Sequence, residues 1–213
     1  VADSMTENLD PRWLRWAQRL QAIAQDGLTF GHDVYDRERY LMLQEMAAEI
    51  YAAGGDTPLE VIRGLFADQA GYATPKVDVR GAAFREGKIL LVQERSDGLW
   101  ALPGGWADPG SSPAENVVRE VWEESGFTVQ AVKLALVHER ARHTTKPNPF
   151  SIYKLCFVCA LTGGAPQTSN ETAAVGFFGQ DELPPLSVGR ITEAQILRMF
   201  AHWRDPTLPT EFD

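Results

Sequence analysis

The sequence predicts an α+β protein, with a small all-helical region over residues 1–70 and a domain of mixed strands and helices over 71–213. Three observations carry this. Apolar residues recur at helical spacing as far as Phe66. The pattern then switches to short apolar runs, 77–84 and 89–93, flanking the turn signal Glu86-Gly87-Lys88. Beyond a glycine turn, Ser112-Pro113-Ala114-Glu115 reads as a capping box with proline at the first helical position, and a charged helix follows.

In the first region, Trp13, Leu14, Ala17, Leu20, Ile23 and Ala24 form one helical stripe that starts after Asp10-Pro11. A second helix is expected over 36–53, with Tyr40, Leu43, Met46, Ala47, Ile50 and Tyr51 inward and Gly54-Gly55 as its end. A third starts at Thr57-Pro58 and turns Leu59, Ile62, Leu65 and Phe66 to one side. Three short helices carry more apolar surface than they can hide among themselves. The expectation is burial against the second region or against a second copy, a homodimer; a partner-binding stripe is the other reading. Residues 68–75 read as a linker. Further strands are expected over 132–139, 151–161 and 174–178, and a last helix over 192–203.

The net charge of -9 argues against a basic nucleic-acid surface, so no nucleic-acid partner is expected. It also means that an anionic substrate must be drawn in by local cations. No apolar run approaches the roughly 20 residues that span a bilayer, so no membrane partner is expected either. The first residues lack the basic and apolar sections of a signal peptide, and a cytoplasmic location is the expectation. Cys156 and Cys159 have redox or zinc spacing, but they sit in an apolar strand where i and i+3 point to opposite faces, which favours two core thiols.

The most informative segment is 104–127, Gly-Gly-Trp-Ala-Asp-Pro-Gly-Ser-Ser-Pro-Ala-Glu-Asn-Val-Val-Arg-Glu-Val-Trp-Glu-Glu-Ser-Gly-Phe. Glu120, Glu123 and Glu124 stand at i, i+3 and i+4, so like charges share a helical face and repel. A hard divalent cation, Mg²⁺ or Mn²⁺, is the natural filler, because it prefers carboxylate oxygens. Glu120 and Glu124 are the first metal ligands to expect, with Glu123 close behind. The carbonyl of Gly105 can join them, since a glycine lets backbone approach an ion.

This segment resembles the Nudix box, G-x5-E-x7-R-E-U-x-E-E-x-G-U with U aliphatic. Gly105, Arg119, Glu120, Glu123, Glu124 and Gly126 match, Phe127 replaces an aliphatic residue, and Ser111 stands where the family has its first Glu. The helical first region, the stretch 72–80, the run 96–108 and the stretch 171–178 resemble a Nudix subgroup with an N-terminal helical domain. The resemblance implies a mixed sheet sandwiched between helices, frequent dimerisation, and hydrolysis of a nucleoside diphosphate linked to a moiety X. The products are a nucleoside monophosphate and phosphorylated X.

Within that reading Arg119 orients a neighbouring glutamate or forms only a surface ion pair. Candidates for the general base are Glu123 in the box and Glu139 or Glu171 beyond it. The basic stretch 139–150 offers Arg140, Arg142 and Lys146 to phosphates or X, and Arg80 and Arg95 are further candidates, with plain solvated charges as the alternative. Trp100 and Trp106 flank the glycine turn and either stack on substrate or pack locally. His143 occupies the position where ADP-ribose-selective Nudix enzymes often carry proline, which favours CDP-choline over ADP-ribose. A non-catalytic nucleotide-sensing module is disfavoured because the helix carboxylates are present.

Overall fold

The structure, a computed structural model, describes residues 9–213. Residues 1–8, which bear on the signal-peptide expectation, lie outside the described residues. Contacts divide the chain into two units. One runs through Lys76 and also takes in 145–151; the other comprises Val77–Thr144 and Ile152–Asp213. The boundary therefore falls later than the 70/71 expected from the sequence, and 145–151 joins the helices rather than the second domain.

The helical unit contains α1 (Arg12–Phe30), α2 (Val34–Gly54) and α3 (Leu59–Ala67). Helix α2 starts two residues before its expected position because the Asp33 side chain accepts from the amides of Tyr35 and Asp36. Leu14, Ala17, Ala47, Ala48, Tyr51, Ile62 and Phe66 form the core, and Phe150 of the 145–151 segment packs against it. Ile23 and Met46, assigned inward by spacing, are instead 52% and 46% exposed. The segment 68–75 is tied to α1: Asp26 accepts from the Ala73 amide at 2.7 Å and Thr29 from the Gly71 amide at 3.0 Å.

The second unit carries β1 (Lys76–Arg85), β2 (Lys88–Glu94), β3 (Trp100–Ala101), α4 (Pro113–Ser125), β4 (Phe127–Glu139), β5 (Ile152–Gly164), β6 (Thr172–Phe178), α5 (Glu193–Arg204) and β7 (Glu211–Phe212). A 3₁₀ turn spans Arg140–Arg142. The seven-stranded sheet has the order β3-β2-β1-β5-β4-β7, with β6 paired to β2. Strand β2 pairs antiparallel with β1, β3 and β6, and β4 pairs antiparallel with β5 but parallel with β7, so the sheet is mixed. Val117 and Val121 of α4 bury against Val79, Ala83, Leu90 and Phe157 on one face. Ile196, Met199 and Phe200 of α5 bury against Ala82, Leu91, Leu136 and Cys156 on the other. The result is the expected sandwich of helix, mixed sheet and helix.

Cys156 and Cys159 lie in these two opposite cores as free thiols, and burial pushes each up to about 12. They act as small core residues. Among the described residues no helix is long and apolar enough to cross a membrane.

Candidate active site

Helix α4 starts where the capping box places it. The Ser112 hydroxyl accepts from the Glu115 amide at 3.2 Å, and the Glu115 carboxylate accepts from the Ser112 amide at 2.7 Å. With Val117 and Val121 facing the core, the three carboxylates fan outward: Glu124 is buried, Glu120 half-buried and Glu123 exposed. Left-handed Gly126 ends the helix.

The glycine turn meets this fan edge-on. Residues 103–107 run along β1, with Val79 donating to the Gly105 carbonyl, Gly81 to Pro103, and Ala107 to Val77, each at 2.9 Å. Gly104 has φ +144°, and a Cβ there would lie 2.0 Å from the Val79 carbonyl oxygen, so only glycine fits. Its amide donates to Glu124 Oε2 at 2.9 Å. A Cβ on Gly105 would lie 2.9 Å from Glu120 Oε2, so the missing side chain makes room for that carboxylate. The Gly105 carbonyl, expected from the sequence as a cation ligand, has one lone pair engaged in the ladder to β1 and keeps the second.

Arg119 holds the outer carboxylates together. Its Nη2 lies 2.9 Å from Glu120 and 2.8 Å from Asp108, and its Nη1 lies 2.9 Å from Glu123. Buried Asn116 completes the support, accepting from Arg119 and from the Asp108 amide while donating toward the Ser111 and Ser112 carbonyls. Ser111 itself is exposed, and Arg119 draws its loop carboxylate from Asp108.

Burial pushes the Glu124 carboxyl up to about 7, against the pull of Arg80 and the Gly104 amide, while Glu94 and Glu120 push it further up. Burial likewise raises Glu120, with Arg119 opposing it. Glu94, at the end of β2, is raised by burial and opposed by Arg190, whose Nε lies 3.2 Å away. Glu171 is exposed on the turn before β6, close enough for its charge to raise both Glu94 and Glu120. An all-oxygen donor set whose ionised form is disfavoured in this way suits a hard divalent cation, which removes the repulsion.

Several candidates have other work. Arg80 is buried, with Nε and Nη2 on Asp78 and Nη1 donating to the Leu102 carbonyl at 3.1 Å. Its guanidinium faces protein rather than solvent, contrary to the expectation of a phosphate ligand. Arg95 donates from Nε to the Ser169 carbonyl and from its amide to the Glu171 carbonyl, so it shapes the Glu171 turn. Trp100 is half-buried and packs edge-on against Phe178 at 4.7 Å on the α5-side core, the local packing that is the alternative expectation. Trp106 is 52% exposed and keeps a free ring surface. Arg140 is buried and donates to the Gly189 carbonyl at 3.0 Å, whereas Arg142 is half-buried. Lys146 is exposed on the segment that belongs to the helical unit.

Sequence reading missed Asp78, Glu94, Asp108, Asn116 and Lys154. Only Asp78 with Arg80 left a signal, opposite charges two apart in an otherwise apolar strand. A second group, His138, His143 and Asp213, brings three ligand-type atoms within 4.8 Å of one another. However, the Gln195 carbonyl is held by Thr192 of the α5 capping box, which turns its amide nitrogen to His138 Nδ1 at 3.1 Å. Nδ1 therefore accepts, and the other nitrogen carries the proton, which makes His138 a poor ligand. Burial beside His143 lowers His138 to about 4.

Comparison with known proteins fits this geometry. The NUDIX domain profile matches residues 74–200, and that of a UDP-X-like, N-terminal oligomerisation domain matches residues 11–66. The chain is 48% identical over 202 residues to the Bacillus subtilis (strain 168) protein named "Putative ADP-ribose pyrophosphatase YjhB", covering 95% of this chain and 97% of that one. A crystal structure described as an ADP-ribose pyrophosphatase from Streptococcus suis 89-1591 superposes with a TM-score of 0.61 at 44% identity, covering 66% of this chain and 100% of the other. One described as a UDP-X diphosphatase gives a TM-score of 0.61 at 34% identity, covering 94% and 98%. The chain belongs to the Nudix hydrolase family, enzymes that split phosphoric anhydrides.

Proposed function

We propose that this enzyme hydrolyses a nucleoside diphosphate linked to a second moiety, releasing a nucleoside monophosphate and phosphorylated X. The observation that carries the reading is the pair of raised carboxyls, Glu120 and Glu124, held against the Gly104-Gly105 turn. Glu120 and Glu124 would hold Mg²⁺ or Mn²⁺, with Glu123 at the rim. Such an ion neutralises the diphosphate and lowers the pKa of an attacking water. Arg119 keeps Glu120 and Glu123 aligned. A carboxylate oxygen of Glu171 takes the proton as water attacks phosphorus, and the bridging P–O bond breaks with its electron pair leaving on the departing phosphate. Trp106 offers an exposed face for the base or for X.

The names carried by the two relatives at 48% and 44% identity support ADP-ribose as the first substrate to test. CDP-choline stands second, supported by His143 at the marker position and by an exposed indole able to face a quaternary amine. Incubation of the purified protein and Mg²⁺ with ADP-ribose, CDP-choline, sugar nucleotides, dinucleoside polyphosphates and triphosphates separates the readings by their products. AMP with ribose 5-phosphate supports the first, and CMP with phosphocholine supports the second. Absence of turnover with every compound and either metal would point to a nucleotide-sensing module.

Cation binding is expected to displace the proton held by Glu124. At pH 6 it should release about one proton, and at pH 8 close to none, because the metal-free carboxyl titrates at about 7. Calorimetry in buffers of different ionisation enthalpy checks this.

The enzyme is also proposed to be a homodimer through its helical unit. That unit matches an oligomerisation domain, and it leaves Trp16, Ile23, Phe30, Leu41 and Met42 exposed. Replacing Ile23 and Met42 together with glutamate should convert the dimer to a folded monomer in light-scattering measurements. An unchanged mass would move the interface elsewhere.

A further inference from the structure

We propose that Arg80 is a positioning residue: clamped from behind by Asp78 and Lys154, it fixes the 102–105 turn on β1 and thereby sets the Gly104 amide that orients Glu124. The inference rests on the reading of Glu124 as a cation ligand.

All three guanidinium nitrogens of Arg80 are engaged. Nε and Nη2 grip Asp78 at 2.8–3.2 Å, and Nη1 reaches the Leu102 carbonyl at 3.1 Å. Asp78 and Arg80 lie two apart on β1, so they share a face of the sheet. Lys154 of β5 bonds the second oxygen of Asp78, and all three side chains are buried. A lone aspartate–arginine pair would be neutral. Lys154 adds a third ionisable group on Asp78, and Glu124 and Glu94 both act electrostatically on Arg80. Buried charges at this density are a poor way to gain stability. Here they form a brace. Val79 and Gly81 hold the turn by backbone bonds at Gly105 and Pro103, and the Arg80 side chain between them holds Leu102. The turn has little freedom left, and the Gly104 amide meets Glu124 Oε2 at 2.9 Å. On the far side, the Thr172 hydroxyl donates to the Glu124 carbonyl at 2.8 Å. Lysine cannot replace Arg80 here, because an ammonium cannot span Asp78 and Leu102 in one plane.

The test is Arg80→Lys in the full chain, with Mn²⁺ affinity measured by electron paramagnetic resonance without substrate, alongside kcat and KM. The expected result is a loss of about tenfold or more in Mn²⁺ affinity, as for groups that orient metal ligands, and a matching fall in kcat. KM for the nucleotide should stay within about twofold, because the guanidinium does not touch it. A raised KM with unchanged Mn²⁺ affinity and kcat would make Arg80 a phosphate ligand and overturn the proposal. If Arg80→Lys does not fold, Lys154→Met decides: the same loss of Mn²⁺ affinity supports the brace, and wild-type affinity and kcat overturn it. Glu124→Gln serves as the control. Should it retain wild-type Mn²⁺ affinity, the reading of the site itself fails, and the proposal with it.

Discussion

Replacing Glu124 with glutamine is expected to cut turnover by at least about 100-fold, because even residues that only orient a ligand cost up to that much. The fold should survive. Glutamine keeps the shape, and its carbonyl still accepts from the Gly104 amide. Stability should move in the opposite direction to activity. The Glu124 carboxyl is raised from 4.5 to about 7 in the metal-free fold, so its contribution to stability is present below pH 4.5 and lost as pH rises through 7. At pH 8 the ionised, buried carboxylate costs roughly 3 kcal/mol, a penalty that glutamine does not carry. Metal-free Glu124→Gln should therefore melt higher than metal-free wild type at pH 8, and the gap should close on acidification. Thermal melts across pH, with a turnover assay, check both halves. Retained turnover would remove Glu124 from the centre.

Glu171→Gln is expected to lower kcat by about 100-fold, the lower end of what a general base contributes. Metal affinity should hold, because Glu171 is exposed on its own turn and influences Glu94 and Glu120 only through charge. Glu123→Gln is the informative partner. Glu123 is also exposed and is committed to Arg119 at 2.9 Å, so its loss should cost less than that of Glu171. Single-turnover rates for the two variants assign the base. A larger loss for Glu123 would return that role to the helix.

Much of this centre is legible in the chain because it is local. The capping box at Ser112, the carboxylates at i, i+3 and i+4, and Gly126 all act within one helix, so spacing alone locates them. The β1–β2 hairpin is equally plain from Glu86-Gly87, and the two cysteines fall on opposite faces as strand periodicity requires. What escapes is non-local. Lys154 meets Asp78 across 76 residues, and nothing in either neighbourhood announces the pairing. Glu94 looks like an ordinary strand-end acid until the ladder slips between Gln93 and Glu94 and sets it opposite Thr172. The two-residue strands β3 and β7 exist only through their partners, β2 and β4. Strand β4 starts at Phe127 rather than at the expected 132, although Phe127, Thr128, Val129 and Gln130 already alternate between buried and exposed, so this part of the strand is legible in the chain. The basic stretch after β4 misleads in a different way. Composition suggests one solvated loop, yet Arg140 is buried and Lys146 belongs with the helices.

The most direct test of the metal-centre account is an anomalous difference map from crystals of the full chain soaked in Mn²⁺. A peak is expected between the carboxylates of Glu120 and Glu124, at the roughly 2.1 Å oxygen distances of a hard divalent cation. A peak at His138, His143 and Asp213 with none beside Glu124 would contradict it.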